Sequence, residues 1–245
     1  MLKIKNLKKY FGGIKAVNKC TFNIPKSKIT ALIGPNGAGK STVFNLISGF
    51  EKKDSGSIYL SKKNITDLKA YKISELGVSR VFQKSRLFDN LSVKENLLIA
   101  LNKNNTFFWR SFFNSKNNMK KYEKKIKTVL KLFNITKMEN HVAGELSFGQ
   151  QRLVELARAM LLPHNLLMLD EPVAGVNPKI RSDIMKILGL LKKQGETILL
   201  IEHDMYFTLN IADHIIVMDE GKVIAKGTPA QIKKNKKVLE AYLGD

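Results

Sequence analysis

The chain has 245 residues, of which 44% are hydrophobic and 26% charged, a composition typical of a globular protein rather than a disordered chain. Lys and Arg outnumber Asp and Glu by 42 to 21, and the formal net charge of +21 raises the question of an anionic partner. The single cysteine, Cys20, excludes an intramolecular disulfide framework and a cysteine-based zinc site, so we expect a reducing, cytosolic compartment.

The first 85 residues predict short strands around a glycine-rich turn. Over residues 1–33, apolar and polar side chains alternate and then give way to an apolar run, a pattern typical of strands. A glycine-rich turn over 34–39 follows, and a helix over 41–50 comes after it. Two further strands are predicted in this part, over 57–60 and 79–83.

Residues 86–145 differ in character and predict helices. Apolar side chains recur at spacings of three and four over 91–101 and 122–133, which favours amphipathic helices. Between them, residues 102–118 are rich in Asn and aromatic side chains and predict an irregular connection. We interpret 86–145 as a helical subdomain inserted in an α/β domain.

After residue 145 the chain returns to apolar strands that alternate with amphipathic helices. Such an alternation implies a parallel sheet covered by helices on both faces. We therefore expect a single α/β domain over 1–245, with a core formed by 1–85 and 146–245. The elements predicted here are helices over 149–162 and 178–193 and strands over 166–170, 197–201 and 215–218. A short helix is predicted between the last two of these strands, and a short strand and two small helices are predicted after them.

Positive charge is densest between residues 103 and 145, which hold ten basic and three acidic side chains. A solvated, lysine-rich surface explains this better than a nucleic-acid groove, because no RNA-recognition sequence or zinc-finger spacing accompanies the lysines. A third interpretation is that these basic side chains are attracted to the anionic cytoplasmic leaflet of a membrane, which would contribute about 1 kcal/mol of binding free energy per nearby Lys or Arg. The apolar runs are far shorter than the roughly 20 residues of a membrane span, and we expect no export signal.

A phosphate-binding loop is the first chemical motif. Residues 34–41, GPNGAGKS, fit the pattern G-x-x-x-x-G-K-[ST] between an apolar strand and a helix. Glycines let successive backbone N–H groups point at phosphates, and the following helix adds the positive end of its dipole. Lys40 would reach the β- and γ-phosphates, and the Ser41 hydroxyl would ligate Mg²⁺.

The second motif is the apolar strand over 166–169 that ends in Asp170 and Glu171. The carboxyl edge of a parallel sheet is where such folds hold ligands. Asp170 would therefore hold the Mg²⁺ shell, and Glu171 would orient or deprotonate the attacking water.

Between these motifs lies LSFGQQR over 146–152, and here the chain resembles an ATP-binding cassette (ABC) ATPase. The family signature is Leu-Ser-Gly-Gly-Gln, and this chain departs from it at Phe148. Gln83 resembles the family's Q-loop glutamine, and His203, after an apolar strand, resembles its switch histidine. Phe11 resembles the aromatic residue that stacks on adenine, with Tyr10 as the alternative.

The resemblance implies a P-loop NTPase cassette with a mixed or parallel sheet core, an N-terminal antiparallel β-subdomain and an inserted α-helical subdomain. It covers essentially the whole chain. Residues 173–177 stand at the family's D-loop, which usually has Asp near its end where this chain has Asn177. The ATP-binding residues would be Phe11, Gly34, Pro35, Asn36, Gly37, Ala38, Gly39, Lys40, Ser41, Thr42 and Gln83.

The resemblance also implies a head-to-tail dimer that sandwiches two ATP molecules. The catalytic residues would be Glu171 and His203, and His203 would sense the γ-phosphate. Gln83 would couple the Mg²⁺ site to the helical subdomain. The metal site would comprise Ser41, Gln83 and Asp170, and the signature residues acting on the partner's ATP would be Ser147, Phe148, Gly149 and Gln150.

A finer resemblance is to the cassettes of branched-chain amino acid importers. It is carried by KYFGGIKAV over 9–17, FQKSRLF over 82–88, DEPVAGVNP over 170–178 and AYLGD over 241–245. Cassettes for urea or amide uptake and for lipopolysaccharide export share the terminal Tyr-Leu-Gly and remain alternatives. The partners implied are a second cassette, identical or a sister chain, polytopic permease subunits and, through the permease, a solute-binding protein. The chain would then lie peripherally on the cytoplasmic face of the membrane.

The competing function is a soluble ABC ATPase that acts on nucleic acid or ribosomes, motivated by the net charge. That class typically has two cassettes in one chain or long coiled coils, and this sequence has one cassette and neither extension. A P-loop kinase or GTPase would lack the signature peptide and the switch histidine. The sequence therefore favours the energy-coupling subunit of an importer over both.

Overall fold

A computed structural model of the chain describes residues 1–101 and 116–243. By its internal contacts the chain forms two compact units. The first comprises residues 1–80, 164–172 and 188–245, and the second comprises 81–163 and 173–187. Among the described residues, no helix combines the length and the apolarity that crossing a bilayer requires.

The strands of the described part number β1 to β10 in chain order. Their bounds are β1 Leu2–Phe11, β2 Ile14–Ile24, β3 Ile29–Ile33, β4 Ser55–Leu60, β5 Lys63–Asn64, β6 Val78–Val81, β7 Leu166–Asp170, β8 Ile198–Ile201, β9 His214–Asp219 and β10 Lys222–Gly227. The helices are α1 Lys40–Ile47, α2 Ala70–Glu75, α3 Val93–Leu101, α4 Lys116–Leu132, α5 Phe148–Leu161, α6 Pro178–Lys193, α7 Met205–Ile211, α8 Pro229–Lys233 and α9 Lys236–Leu243.

The first unit contains an antiparallel sheet in the order β2-β1-β4-β5. β1 and β2 form a hairpin in which Phe11 pairs with Ile14 across a turn of two glycines with positive φ. Leu2 and Ile4 of β1 are fully buried while Lys3 and Lys5 are exposed, so one face of this sheet covers the core.

A second sheet has the order β10-β9-β3-β8-β7-β6. Strand β3 pairs in parallel with β8 and β9, β7 pairs in parallel with β8, and β10 closes one edge in the antiparallel sense. Every residue of β3, β7 and β8 is buried, which explains their continuous apolar sequences. The parallel strands place the ends of β3, β7 and β8 at one edge, where the motif residues follow them.

The second unit is mostly helical and contains α3, α4, α5 and two short 3₁₀ turns. Asn96 of α3 is fully buried, and its side chain accepts the N–H of Phe88 at 2.8 Å and donates to the carbonyls of Phe88, Leu91 and Ser92. One buried amide thus fixes the irregular segment that precedes α3.

The α/β fold class is confirmed, with a mixed sheet, an antiparallel N-terminal sheet and a helical region. The predicted strand over 166–170 and helix over 178–193 have the predicted bounds. The helix predicted over 122–133 begins six residues earlier, at Lys116, and the ends of the other predicted elements lie within three residues of the observed ones. Two short elements, α2 and β5, were not predicted. Residues 102–115 of the predicted irregular connection lie outside the described residues, and the prediction is wrong for 116–118, which form the start of α4. The last two residues of the terminal AYLGD also lie outside the described residues.

Candidate functional site

The phosphate-type loop over 34–39 connects β3 to α1, and its backbone conformation requires glycine at three positions. Gly34, Gly37 and Gly39 have φ of +149°, +80° and +92°, values that L side chains adopt only with strain. A Cβ at Gly34 would lie 2.0 Å from the Met218 carbonyl oxygen, and one at Gly39 would lie 2.0 Å from that of Ala16. At Gly37 a Cβ would face open space. The loop therefore packs closely against β9 and β2 and opens outward at Gly37.

Lys40 is folded into this loop. Its side chain is buried, and its Nζ donates to the carbonyl oxygens of Gly34 and Pro35, each at 2.7 Å. Burial lowers the pKa of Lys40, and the nearby carboxylates of Glu171 and Asp170 partly offset that effect. The ammonium group and the two carboxylates therefore belong to one electrostatic cluster.

Asp170, the last residue of β7, is buried and paired with a residue to which the sequence assigned no role. Arg80 of β6 donates from Nη2 to Asp170 Oδ2 at 2.9 Å, and from Nη1 to Asn45 Oδ1 and Ser48 Oγ at 2.8 Å each. The two side chains are 7% and 10% exposed. Arg80 thus ties the carboxylate at the end of β7 to α1, the helix that follows the loop. An arginine three residues before Gln83 was the available sequence signal.

Glu171 follows in a left-handed conformation with φ +49°, which is uncommon for a residue other than glycine. Its N–H donates to the Ile201 carbonyl at 3.0 Å, so β8 holds this turn. His203 comes just after β8, is 60% exposed at its side chain, and places Nδ1 3.8 Å from Glu171 Oε1. The structure therefore brings the predicted base and the predicted switch histidine together.

The oxygen donors of this cluster suit a hard divalent cation. The Ser41 hydroxyl stands in the first turn of α1, and the Asp170 carboxylate ends β7. Hydroxyl and carboxylate oxygens with additional waters and phosphate oxygens are the ligands that Mg²⁺ prefers. Among the described residues, no group of three or more His, Cys, Asp or Glu side chains could hold a metal on its own. A Mg²⁺ ion held here would therefore need ligands from a bound phosphate.

Phe11 and its alternative Tyr10 both lie at the end of β1. The Phe11 ring is 43% exposed, with Lys9 Nζ 4.7 Å from its centroid. The Tyr10 hydroxyl instead donates to Asn18 Oδ1 at 3.3 Å. An exposed ring backed by a cation suits stacking on a flat ligand, which favours Phe11 of the two.

The signature segment belongs to the second unit and opens α5 with a capping box. The Ser147 hydroxyl accepts the N–H of Gln150 at 3.4 Å, and the Gln150 side chain accepts the N–H of Ser147 at 2.9 Å. A Cβ at Gly149 would lie 2.3 Å from Ile180 Cδ1, so glycine lets α5 approach α6. The Phe148 ring, which departs from the family pattern, lies beside Gly175 in the 173–177 segment and is 49% exposed.

Gln83 also belongs to the second unit, in irregular backbone after β6. Its carbonyl accepts a hydrogen bond from Arg152 Nη2 at 2.9 Å, a contact that sequence reasoning missed because 69 residues separate the two. A further missed neighbour is Tyr242 of α9 in the first unit, whose buried hydroxyl lies beside the backbone of Gly34. Burial raises the pKa of Tyr242 to about 12, and that backbone moderates the rise.

The family of the chain follows from comparison with known proteins. A family model described as ABC transporter matches residues 17–174, which include the phosphate loop, the signature segment and Asp170–Glu171. The chain belongs to the ABC transporter family and is an ATP-binding cassette ATPase, as the resemblance predicted.

Within that family the likeness is specific. A second model, described as branched-chain amino acid ATP-binding cassette transporter, matches residues 222–245. The high-affinity branched-chain amino acid transport ATP-binding protein BraF of Pseudomonas aeruginosa is 40% identical over all of this chain and 98% of its own length. A solved nucleotide-free cassette from an ABC transporter is 35% identical, with a TM-score of 0.86 over 100% of this chain and 99% of that one. A dimeric post-hydrolysis cassette bound to ADP and Pi is 27% identical, with a TM-score of 0.80 over 94% and 99%.

Proposed function

We propose that this chain is the ATP-hydrolysing subunit of a membrane importer for branched-chain or related amino acids. The observation that carries the proposal is full-length similarity to BraF, together with the match of the last 24 residues to the branched-chain family model. The site supports it, because Lys40, Asp170, Glu171 and His203 are all present and clustered in one unit.

ATP is held by the loop over 34–42. The loop amides and the start of α1 face the phosphates, and Lys40 exchanges the carbonyls of Gly34 and Pro35 for the β- and γ-phosphates. Phe11 stacks on the adenine ring. Ser41 and Asp170 would hold a Mg²⁺ ion, which would supply positive charge against the transferred phosphoryl group.

Glu171 orients and deprotonates the attacking water, and its left-handed backbone directs the side chain to that position. His203, within 3.8 Å of Glu171, contacts the γ-phosphate. Because the base and the histidine follow neighbouring strands β7 and β8, one phosphate group can engage both.

Dimerisation brings the signature segment of one protomer to the ATP of the other. The Ser147 hydroxyl and the first amides of α5 meet the γ-phosphate there, at the positive end of the helix dipole. The Phe148 ring stays against Gly175 and leaves that approach to Ser147 and Gly149. The dimeric ADP- and Pi-bound relative supports this arrangement.

The assembly proposed around the chain comprises a second cassette, identical or a sister chain, two polytopic permease subunits and a solute-binding protein that delivers the amino acid to the permease. The chain lies peripherally on the cytoplasmic face of the membrane. The transported molecule contacts the permease, so this chain supplies the energy and not the substrate selectivity.

The proposed mechanism is tested with Glu171→Gln, which keeps the shape of the base and removes its proton affinity. We expect ATP and Mg²⁺ to convert this variant to a stable dimer in size-exclusion chromatography, with hydrolysis reduced by a factor of 100 or more, within the range typical of a lost general base. A second variant, Ser147→Arg, should bind ATP as a monomer and fail to dimerise. Wild-type turnover by Glu171→Gln would refute the assignment of the base, and a loss of monomer ATP binding in Ser147→Arg as large as its loss of hydrolysis would refute the sandwich.

A further inference from the structure

The segment over 82–86, which carries Gln83, lacks regular secondary structure in the described chain. Backbone N–H and C=O groups in such a segment need partners from elsewhere. Three side chains of α5 supply them: Arg152, Glu155 and Arg158, which stand three residues apart along one side of the helix. The conformation of the loop is therefore set by a helix about 70 residues away in sequence.

The contacts are short and specific. Arg152 Nη1 donates to the Phe82 carbonyl at 2.7 Å, and its Nη2 donates to the Gln83 carbonyl at 2.9 Å. The Arg86 N–H donates to Glu155 Oε1 at 2.7 Å, and Arg158 Nη1 donates to the Arg86 carbonyl at 2.7 Å. Four backbone groups on both sides of the Gln83 side chain are held in this way.

Glu155 is the acidic centre of this cluster. Its Oε2 pairs with Arg152 Nη1 at 3.1 Å, and the two side chains are 5% and 1% exposed. Burial raises the pKa of Glu155, while the Arg86 N–H and the charges of Arg152 and Arg158 oppose that rise. The same carboxylate thus orients Arg152 through one oxygen and binds the loop through the other.

Buried charges are an expensive means of stabilising a fold, because well-packed apolar residues commonly do as well or better. What ionic hydrogen bonds add is direction, since each fixes one backbone atom at one position. The cluster therefore fits a positioning role better than a stabilising one.

We infer that Glu155 is a positioning residue that locks the backbone around Gln83 to the helix that begins with the signature segment. The inference rests on the proposed function, in which Gln83 responds to the nucleotide of its own protomer and Ser147 contacts the nucleotide of the partner. Because the backbone around Gln83 and Ser147 are both anchored to α5, the two residues move together. A change at one ATP site is therefore transmitted to the other.

The loop itself is tested by hydrogen–deuterium exchange in a peptide that contains Arg86. Glu155→Ala removes the acceptor for the Arg86 N–H, so exchange there should quicken about tenfold or more. Glu155→Gln retains a side-chain oxygen and should stay near wild type. Glu95→Ala is the matched control, because Glu95 also accepts a backbone N–H at 2.7 Å in the same unit, that of Ser92. Unchanged exchange in Glu155→Ala would overturn the inference.

The link to Gln83 is tested by a double-mutant cycle on Mg²⁺-dependent ATP hydrolysis. Glu155→Ala should lower kcat about tenfold with ATP affinity of the monomer within twofold of wild type. In a Gln83→Ala background it should cost less than twofold further, since the residue it positions is gone. Equal losses in both backgrounds would show a merely structural role and overturn the inference.

Failure of the proposed function and failure of the present inference give different results. If the unmodified chain does not hydrolyse ATP, the proposed function fails; if it does and the cycle is additive, only the present inference fails. Should Glu155→Ala not fold, Arg158→Met repeats the cycle at a half-buried position, because it removes the bond to the Arg86 carbonyl.

Discussion

The pairing of Arg80 with Asp170 makes a quantitative prediction. Arg80→Met keeps most of the side-chain stem and removes a guanidinium that donates to Asn45, Ser48 and the Asp170 carboxylate, which is 10% exposed. Breaking a buried ion pair by removing one partner costs about 3–5 kcal/mol, because the remaining charge loses its compensation. In a chain of this size each kcal/mol lowers Tm by about 2–4 °C, so we expect a fall of roughly 6–20 °C.

The assay is differential scanning calorimetry of three variants. Lys72→Met is the control, because it breaks an exposed ion pair with Glu75 whose partners are 53% and 63% exposed, and such pairs contribute about 0–1 kcal/mol. Arg80→Met/Asp170→Asn should be more stable than Arg80→Met alone, because it removes the uncompensated charge. A Tm for Arg80→Met within 2 °C of wild type, or a double variant no more stable than Arg80→Met, would contradict this prediction.

Two other predictions concern the core of each unit. Burial raises the pKa of the Cys20 thiol from 9.0 to about 11. The buried, protonated thiol therefore contributes fully to stability below pH 9, and this contribution is lost as the pH rises through 11. Wild type should therefore lose about 3 kcal/mol relative to Cys20→Ser over that interval, measured by urea unfolding; parallel curves would contradict the burial argument. Gly149→Ala places a Cβ 2.3 Å from Ile180 Cδ1, the far end of a flexible side chain. A shifted Ile180 rotamer and the better helix propensity of Ala keep the cost to about 1 kcal/mol or less, and Ile180→Val, which lacks that carbon, should restore most of the loss of Tm. Failure of Ile180→Val to do so would place the strain elsewhere.

Local chemistry explains why the phosphate loop could be predicted from sequence. The glycines at 34, 37 and 39 are needed because of φ and close backbone approach, and these are properties of the loop and the strands beside it. Buried parallel strands such as β7 can also be predicted from the sequence, because both faces of the strand are covered and its residues are therefore almost all apolar. Helix α2 was missed because it has six residues and one buried side chain, Ile73.

The contacts that organise the site were not predictable in the same way. Arg80 and Asp170 are 90 residues apart, and Arg152 and Gln83 are 69 apart. Each of these residues has a common role as a surface or motif side chain, and nothing in the local pattern selects its partner. Their pairing is a consequence of strand order, with β7 beside β6 and α5 joined to the segment after β6.

The proposed function requires that ATP hydrolysis by this chain drives amino acid import. The most direct measurement is uptake of radiolabelled leucine by cells whose own copy carries Lys40→Ala, with Lys52→Ala, an exposed lysine, as control. We predict loss of uptake for Lys40→Ala at an unchanged protein level and normal uptake for the control. Normal leucine uptake by Lys40→Ala cells would contradict the proposed function.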